Sequence, residues 1–184
     1  MIYHDYPSGG GIVTRCSYNR NAGSDRYALR TACKDPIRRS DLLFFSNAWF
    51  LLTEDVAKQV NCYVTAPSKC NAIIKIKRDI SEITDENGYL LTPATTQTIV
   101  LQQPCIVQDN IGNIAAYGVG TWTVENPALR FQASRETAQI KPGDYFVRGS
   151  EKYRVLALGW QETTPDSTNG VITVTAQKQV GSTL

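Results

Sequence analysis

The sequence predicts a mainly β fold: two small tandem β-barrel or β-sandwich modules with short helices. Three observations lead there. Short runs of β-branched and aromatic residues recur between Gly, Pro, Asn and Asp clusters, as in strands separated by turns. The stretch from Ile140 to Trp160 has the grammar of a β-hairpin, and the stretch from Ile37 to Asp55 repeats it. At 184 residues the chain holds one large or two small domains. Halves of about 90 residues are near the size at which a single core becomes self-sufficient.

Taken in order, residues 1–11 are expected to form a flexible arm, residues 12–92 a first β module and residues 93–184 a second. Gly9, Gly10 and Gly11 read as a hinge. Ile12–Cys16 and Tyr27–Cys33 are apolar pieces around a polar loop, and a first hairpin follows. A short helix is expected at Thr53–Asn61, with Thr53 as its cap. Ile73–Lys77 reads as a strand, Asp85–Gly88 as a turn and Tyr89–Leu91 as a return. The loop at Thr92–Thr96 is the expected boundary. Thr98–Val107 is a strand interrupted by Pro104, which favours an edge or a bulge there. A glycine-rich stretch, a helical turn at Ser134–Gln139, the second hairpin, a polar loop and a last strand at Val171–Ala176 complete the chain.

The second hairpin opens with Pro142, Gly143 and Asp144. Proline fixes φ, glycine accepts positive φ, and aspartate bonds back to nearby amides, so a tight turn results. Gly149 and Ser150 allow the reversal, and Tyr153, Val155 and Ala157 alternate with Arg154, Leu156 and Leu158 at the period of a pleated strand. In the first hairpin Ile37 aligns with Ile140, Ser40 and Asp41 with Gly143 and Asp144, and Ser46 with Gly149. Trp49 aligns with Tyr153 if the turn differs by one residue. Further on, Asn71–Ile76 aligns with Asn169–Val174, which suggests a duplicated module.

Charge and chemistry exclude several function classes. The formal charge is +2, and residues 1–92 hold twelve Lys and Arg against ten Asp and Glu, residues 93–184 seven against seven. Neither half presents the concentrated basic face of a dedicated nucleic-acid binder. The local basic cluster, and the candidate DNA-facing site, is Lys75, Lys77 and Arg78. Five cysteines without a CxxC pair, and His4 as the single histidine, give no zinc pattern and no disulfide framework, so no metal and no cofactor are expected. A Ser-His-Asp or Cys-His site has only His4 to draw on, and no phosphate-cradling, HExxH or calcium-loop motif occurs; no catalytic residue is assigned and the protein is not expected to be an enzyme. The longest apolar concentration, Leu42–Leu52, is much shorter than the roughly 20 residues of a spanning helix. The first residues lack the basic start and apolar run of an export signal, so residence in the cytosol is expected.

The pattern IxPGDxxxxGxxYxVL, carried here by Ile140, Pro142, Gly143, Asp144, Gly149, Tyr153, Val155 and Leu156, resembles the stopper, or head-completion, proteins. These are small β-barrels at the head-tail junction of tailed bacteriophages. The resemblance covers about the last 50 residues, and the earlier half only through the repeat. It implies a structural part of the virion neck, assembled in the cytoplasm of a bacterial host. Its implied partners are copies of itself in a ring, a portal or adaptor protein above, a tail tube or tail terminator protein below, and packaged DNA nearby. Since the usual stopper is a single module, a duplicated one implies a ring of about six copies offering about twelve modules to a twelvefold neighbour. Tail termination is an alternative within the same resemblance. Other small barrels, including nucleic-acid modules of the KOW or OB type, share such turns, so a nucleic-acid-binding barrel is the alternative outside it. The candidate interface residues are Ile2, Tyr3 and Tyr6 in the arm, Asp85, Glu86 and Asn87 in one loop, and Asn110 and Asn113 in another.

Overall fold

The computed structural model describes residues 1–4, 6, 11, 16–20, 27–32, 37–59, 62–109, 111–116, 120–161 and 170–179. Its strands are β1 (Ile2–Tyr3), β2 (Cys16–Arg20), β3 (Tyr27–Ala32), β4 (Leu42–Phe45), β5 (Ala48–Leu51), β6 (Ala57–Lys58), β7 (Cys62–Thr65), β8 (Ser68–Lys69) and β9 (Ala72–Ile80). They continue as β10 (Ile83–Thr84), β11 (Leu90–Thr92), β12 (Thr95–Gln108), β13 (Ile111–Ala116), β14 (Gly120–Glu125), β15 (Ala128–Gln132), β16 (Tyr145–Arg148), β17 (Glu151–Gln161) and β18 (Val171–Lys178).

Six strands close into a barrel in the order β12-β15-β18-β17-β16-β9, every neighbouring pair antiparallel. A six-stranded barrel has room only for its own side chains. The alternation of each strand supplies them: Ile74 and Ile76 from β9, Phe131 from β15, Phe146 from β16, Val155 from β17, and Ile172 and Val174 from β18 are all buried. The mainly β class is therefore found, with one closed barrel. Pro104 lies in β12 beside an irregularity in its pairing with β9, between Val100 and Gln103, where the ladder has no need of a proline N–H.

β9 belongs to this barrel although it precedes residue 92, and the 92/93 division falls in the connection between two paired strands, β9 and β12. The aligned segments Asn71–Ile76 and Asn169–Val174, the latter described only from Gly170, do not occupy equivalent places. β9 lies between β16 and β12, whereas β18 lies between β17 and β15.

The first hairpin, β4–β5, forms the sheet β1-β4-β5-β8, and β2-β3-β7-β6 forms another. Because strand side chains alternate, β4–β5 has two apolar faces. Leu42 and Leu51 meet Val171 of the barrel, while Leu43 and Phe50 join Ile2, Ile37 and Leu52 on the other side.

Over its described residues, 53–59, the helix expected at Thr53–Asn61 is not formed. Ala57 and Lys58 pair with Val64 and Tyr63, and the Thr53 hydroxyl lies 3.2 Å from that of Ser68. A helix of that length is marginal by itself, and cross-strand pairing prevails. Ser134–Gln139 contains one 3₁₀ turn, Thr137–Gln139, and no α-helix occurs among the described residues, so the short helices are corrected to this one turn.

The two hairpin entries share one construction. In each, an aspartate amide donates to the carbonyl three residues back, Asp41 to Arg38 at 3.2 Å and Asp144 to Lys141 at 3.1 Å. In each, the carboxylate accepts from that same residue's amide, at 2.7 Å for Arg38 and 2.8 Å for Lys141. Ser40 and Gly143 take φ of 79° and 98°, and Ile37 and Ile140 are buried beside them. Both reversals are two residues long, Ser46-Asn47 and Gly149-Ser150. The one-residue difference in the turn is thus absent, and Phe50, not Trp49, stands where Tyr153 does, opposite Leu43 as Tyr153 is opposite Phe146.

Candidate interaction surface

Beyond Lys77 the β9–β12 pair leaves the barrel as a ribbon. Arg78 pairs with Gln97, Asp79 with Thr96 and Ile80 with Thr95, and β10–β11 prolongs the ribbon to a turn at Asp85–Gly88. The turn follows from its residues. The Asp85 carboxylate accepts from the amides of Asn87 and Tyr89, and Gly88 adopts φ of 81°. Every residue from 79 to 98 is exposed except Asp85, which is half-buried.

The root of the ribbon is tied to the barrel. Arg78 donates from Nε and Nη2 to the two carboxylate oxygens of Asp144 at 2.6 and 2.9 Å, and from Nη2 to the Gln139 carbonyl at 2.8 Å. Asp79 accepts from the Thr96 hydroxyl at 2.9 Å and from Lys152 Nζ at 3.2 Å. Partial burial raises the Asp79 carboxyl, but hydrogen bonds from Thr96, Lys152 and Tyr145 outweigh it and leave the pKa below its usual value. Lys152 Nζ also lies 3.7 Å from the centroid of the Tyr145 ring.

The free part is apolar and acidic. Ile83, Tyr89, Leu90 and Leu91 are 53, 72, 56 and 64% exposed, and Ile80 is partly covered at 38%. A two-stranded ribbon has too little core to be stable in isolation, and clustered exposed apolar side chains are uncommon on the surface of a monomer. Asp85, Glu86 and Asn87 stand at its tip. Sequence reasoning missed the apolar residues behind them. The signal was present in Tyr89-Leu90-Leu91, an apolar triplet after a turn and with too little sequence beside it to be covered.

The other singled-out residues lie elsewhere. Ile2 is buried in the small sheet, with the Met1 carbonyl accepting from Phe44 N at 2.9 Å. Tyr3 and Tyr6 pack on Trp49, ring centroids 5.3 and 4.9 Å away. The buried amide of Gln132 binds this arm at two points, accepting from Tyr6 N at 2.8 Å and donating to the Tyr3 carbonyl at 2.9 Å. The arm's strand thus docks on its own chain. His4 Nδ1 lies 2.8 Å from the buried Asp41 carboxylate, a contact that corresponds to Arg78 on Asp144, and β1 pairs with β4 as β9 pairs with β16. Asn110 lies outside the described residues, and Asn113 is in β13. Of the basic cluster, Lys75 is exposed, Lys77 is half-buried and Arg78 is held by Asp144. Among the described residues no three His, Cys, Asp or Glu side chains are grouped to hold a metal ion.

No protein-family model and no curated protein matches this chain. Among solved structures, a chain of a virion of native gene transfer agent (GTA) particle is similar over 61% of this chain and 97% of its own, with 16% sequence identity and a TM-score of 0.40. A likeness that weak carries nothing about function.

Proposed function

We propose that this protein is a structural part of a phage-type virion, a neck protein between the portal or adaptor ring and the tail, which works by presenting interaction segments on a rigid frame. The observation that carries this reading is the ribbon at 79–98: an exposed apolar and acidic element whose root is fixed to a closed barrel by Arg78–Asp144 and Asp79–Lys152. The residues on which the resemblance to stopper proteins rests support it. Ile140, Asp144, Tyr153 and Val155 are buried at the hairpin that helps to close the barrel, which is a framework role. A binding frame of this kind performs no chemistry and takes no cofactor.

The test is capture of a tagged chain from infected host cells, beside a variant with Tyr89, Leu90 and Leu91 changed to serine. Portal, adaptor or tail proteins in stoichiometric amounts with the natural chain, and their loss with the variant, support a neck role as stopper or tail terminator. Capture of nucleic acid or metabolic enzymes alone sinks it. A nucleic-acid-binding barrel ranks below, because Asp144 already engages Arg78 and leaves Lys75 and Lys77 as a small cationic surface.

A further inference from the structure

Two surfaces of this chain complement each other in charge and polarity. The ribbon, residues 79–98, has four carboxylates and no lysine or arginine; with the whole chain at +2, the rest holds +6. Asp79 is neutralised by Lys152, whereas Glu82 and Glu86 form no ion pair among the described residues. The second surface is a groove of about 660 Å³ lined by Pro142, Gly143, Arg154, Leu156, Gln177 and Lys178. Leu156 is 46% exposed there, two residues along β17 from an exposed Arg154 that makes no ion pair among the described residues, while Lys178, opposite Tyr153, lies 3.4 Å from Glu151.

Both surfaces stand at one end of the barrel, since Tyr145 pairs with Lys77 at the root of the ribbon and with Arg154 in the groove. The ribbon does not cover the groove of its own chain, for its residues are exposed and so is Leu156. Two different surfaces that fit each other join copies head to tail, and such a contact closes a ring or extends a filament. We infer that the ribbon of one copy seats in the groove of a second copy of this chain, with Tyr89, Leu90 and Leu91 against Leu156 and the ribbon's free carboxylates against Arg154. Complementary charge fixes the direction of approach, and the apolar centre supplies the contact area. This rests on the reading of the ribbon as an interaction element.

The experiment uses the purified full chain alone, with a benzophenone photocrosslinker at Leu91, and mixes natural-abundance with ¹⁵N-labelled copies so that links between chains carry mixed mass. Expected are inter-chain links into the peptides that hold Arg154–Leu156 or Gln177–Gln179. Arg154→Glu should lower their yield about tenfold, and Glu82→Lys with Glu86→Lys should restore it in that background. These side chains are exposed, so circular dichroism should be unchanged. Links absent at high concentration, confined to one chain, placed on another surface, or not restored by the charge exchange overturn the inference. Virion proteins captured from infected cells without any inter-chain link would remove this contact and leave the neck reading standing. Links without such capture would do the reverse.

Discussion

Arg78 and Asp144 join the root of the ribbon to the entry of the second hairpin through a two-pronged ion pair, 2.6 Å at Nε and 2.9 Å at Nη2. Asp144 is 1% exposed, so its charge is tolerated because the guanidinium and the Lys141 amide both bind it. Asp144→Ala should therefore destabilise the fold by about 2–4 kcal/mol, toward the low end of what breaking a buried pair costs because the Arg78 side chain is 28% exposed. Urea denaturation measures this, and a loss below about 1 kcal/mol would show that the pair does not hold the hairpin.

Asp41 makes the corresponding contact to His4, and its titration has a definite sign. Burial pushes its carboxyl above the usual value, against the Arg38 amide and the His4 side chain, which favour the ionised form. The folded chain then holds this proton more tightly than the unfolded one. The contribution of Asp41 is present in acid and is lost as pH rises through the raised value. Asp41→Asn should gain stability relative to the natural chain as pH climbs from about 3 to 7, read as urea midpoints. A difference independent of pH would refute it.

Gly143 and Ser40 occupy the same turn position at φ of 98° and 79°. A Cβ on Gly143 would meet Arg154 at 3.6 Å, an ordinary contact, so backbone conformation alone sets the cost of Gly143→Ala, about 1–2 kcal/mol. Ser40→Gly should be near neutral. It relieves the same conformation but removes the hydroxyl that accepts from Gly170 N at 3.0 Å. Thermal midpoints are the check: a clear drop is expected for Gly143→Ala and little change for Ser40→Gly.

Serine at Tyr89, Leu90 and Leu91 should change stability by no more than about 0.5 kcal/mol per substitution, since these side chains are exposed and single surface changes are usually that small. Thermal unfolding is the check. A drop of several degrees would mean that the triplet packs against its own chain and is no docking element.

Cys70 and Cys105 should resist alkylation in the folded protein. Burial pushes the Cys105 thiol up to about 12 and also raises that of Cys70, so neither supplies thiolate near pH 8. Cys62 is half-buried and should be modified before Cys70 and Cys105, as peptide mapping after brief maleimide treatment would reveal.

Local chemistry made much of this readable. Pro142-Gly143-Asp144, Gly149 and Asp85–Gly88 declare their turns because their conformations depend on nearest neighbours. The likeness of Ile37, Ser40 and Asp41 to Ile140, Gly143 and Asp144 survives down to individual hydrogen bonds. Partner choice was not readable. The pattern of Ile74 and Ile76 marks a strand with one inward face, yet nothing in it says that the strand will lie beside Phe146, seventy residues later. The arm escaped because a two-residue strand has no period, and Gln132 because a buried glutamine is recognised only once its partners, Tyr3 and Tyr6, are in place.

The order of strands around the barrel also governs how the chain can be made. β9 emerges early and can zip with β12 as a hairpin, but its other edge waits for β16, and β15 and β17 are bridged only by β18, among the last described residues. During synthesis the nascent barrel is thus an open sheet until Val171–Lys178 has cleared the ribosome. A message cut short before that point would yield a chain with two bare strand edges, prone to aggregate.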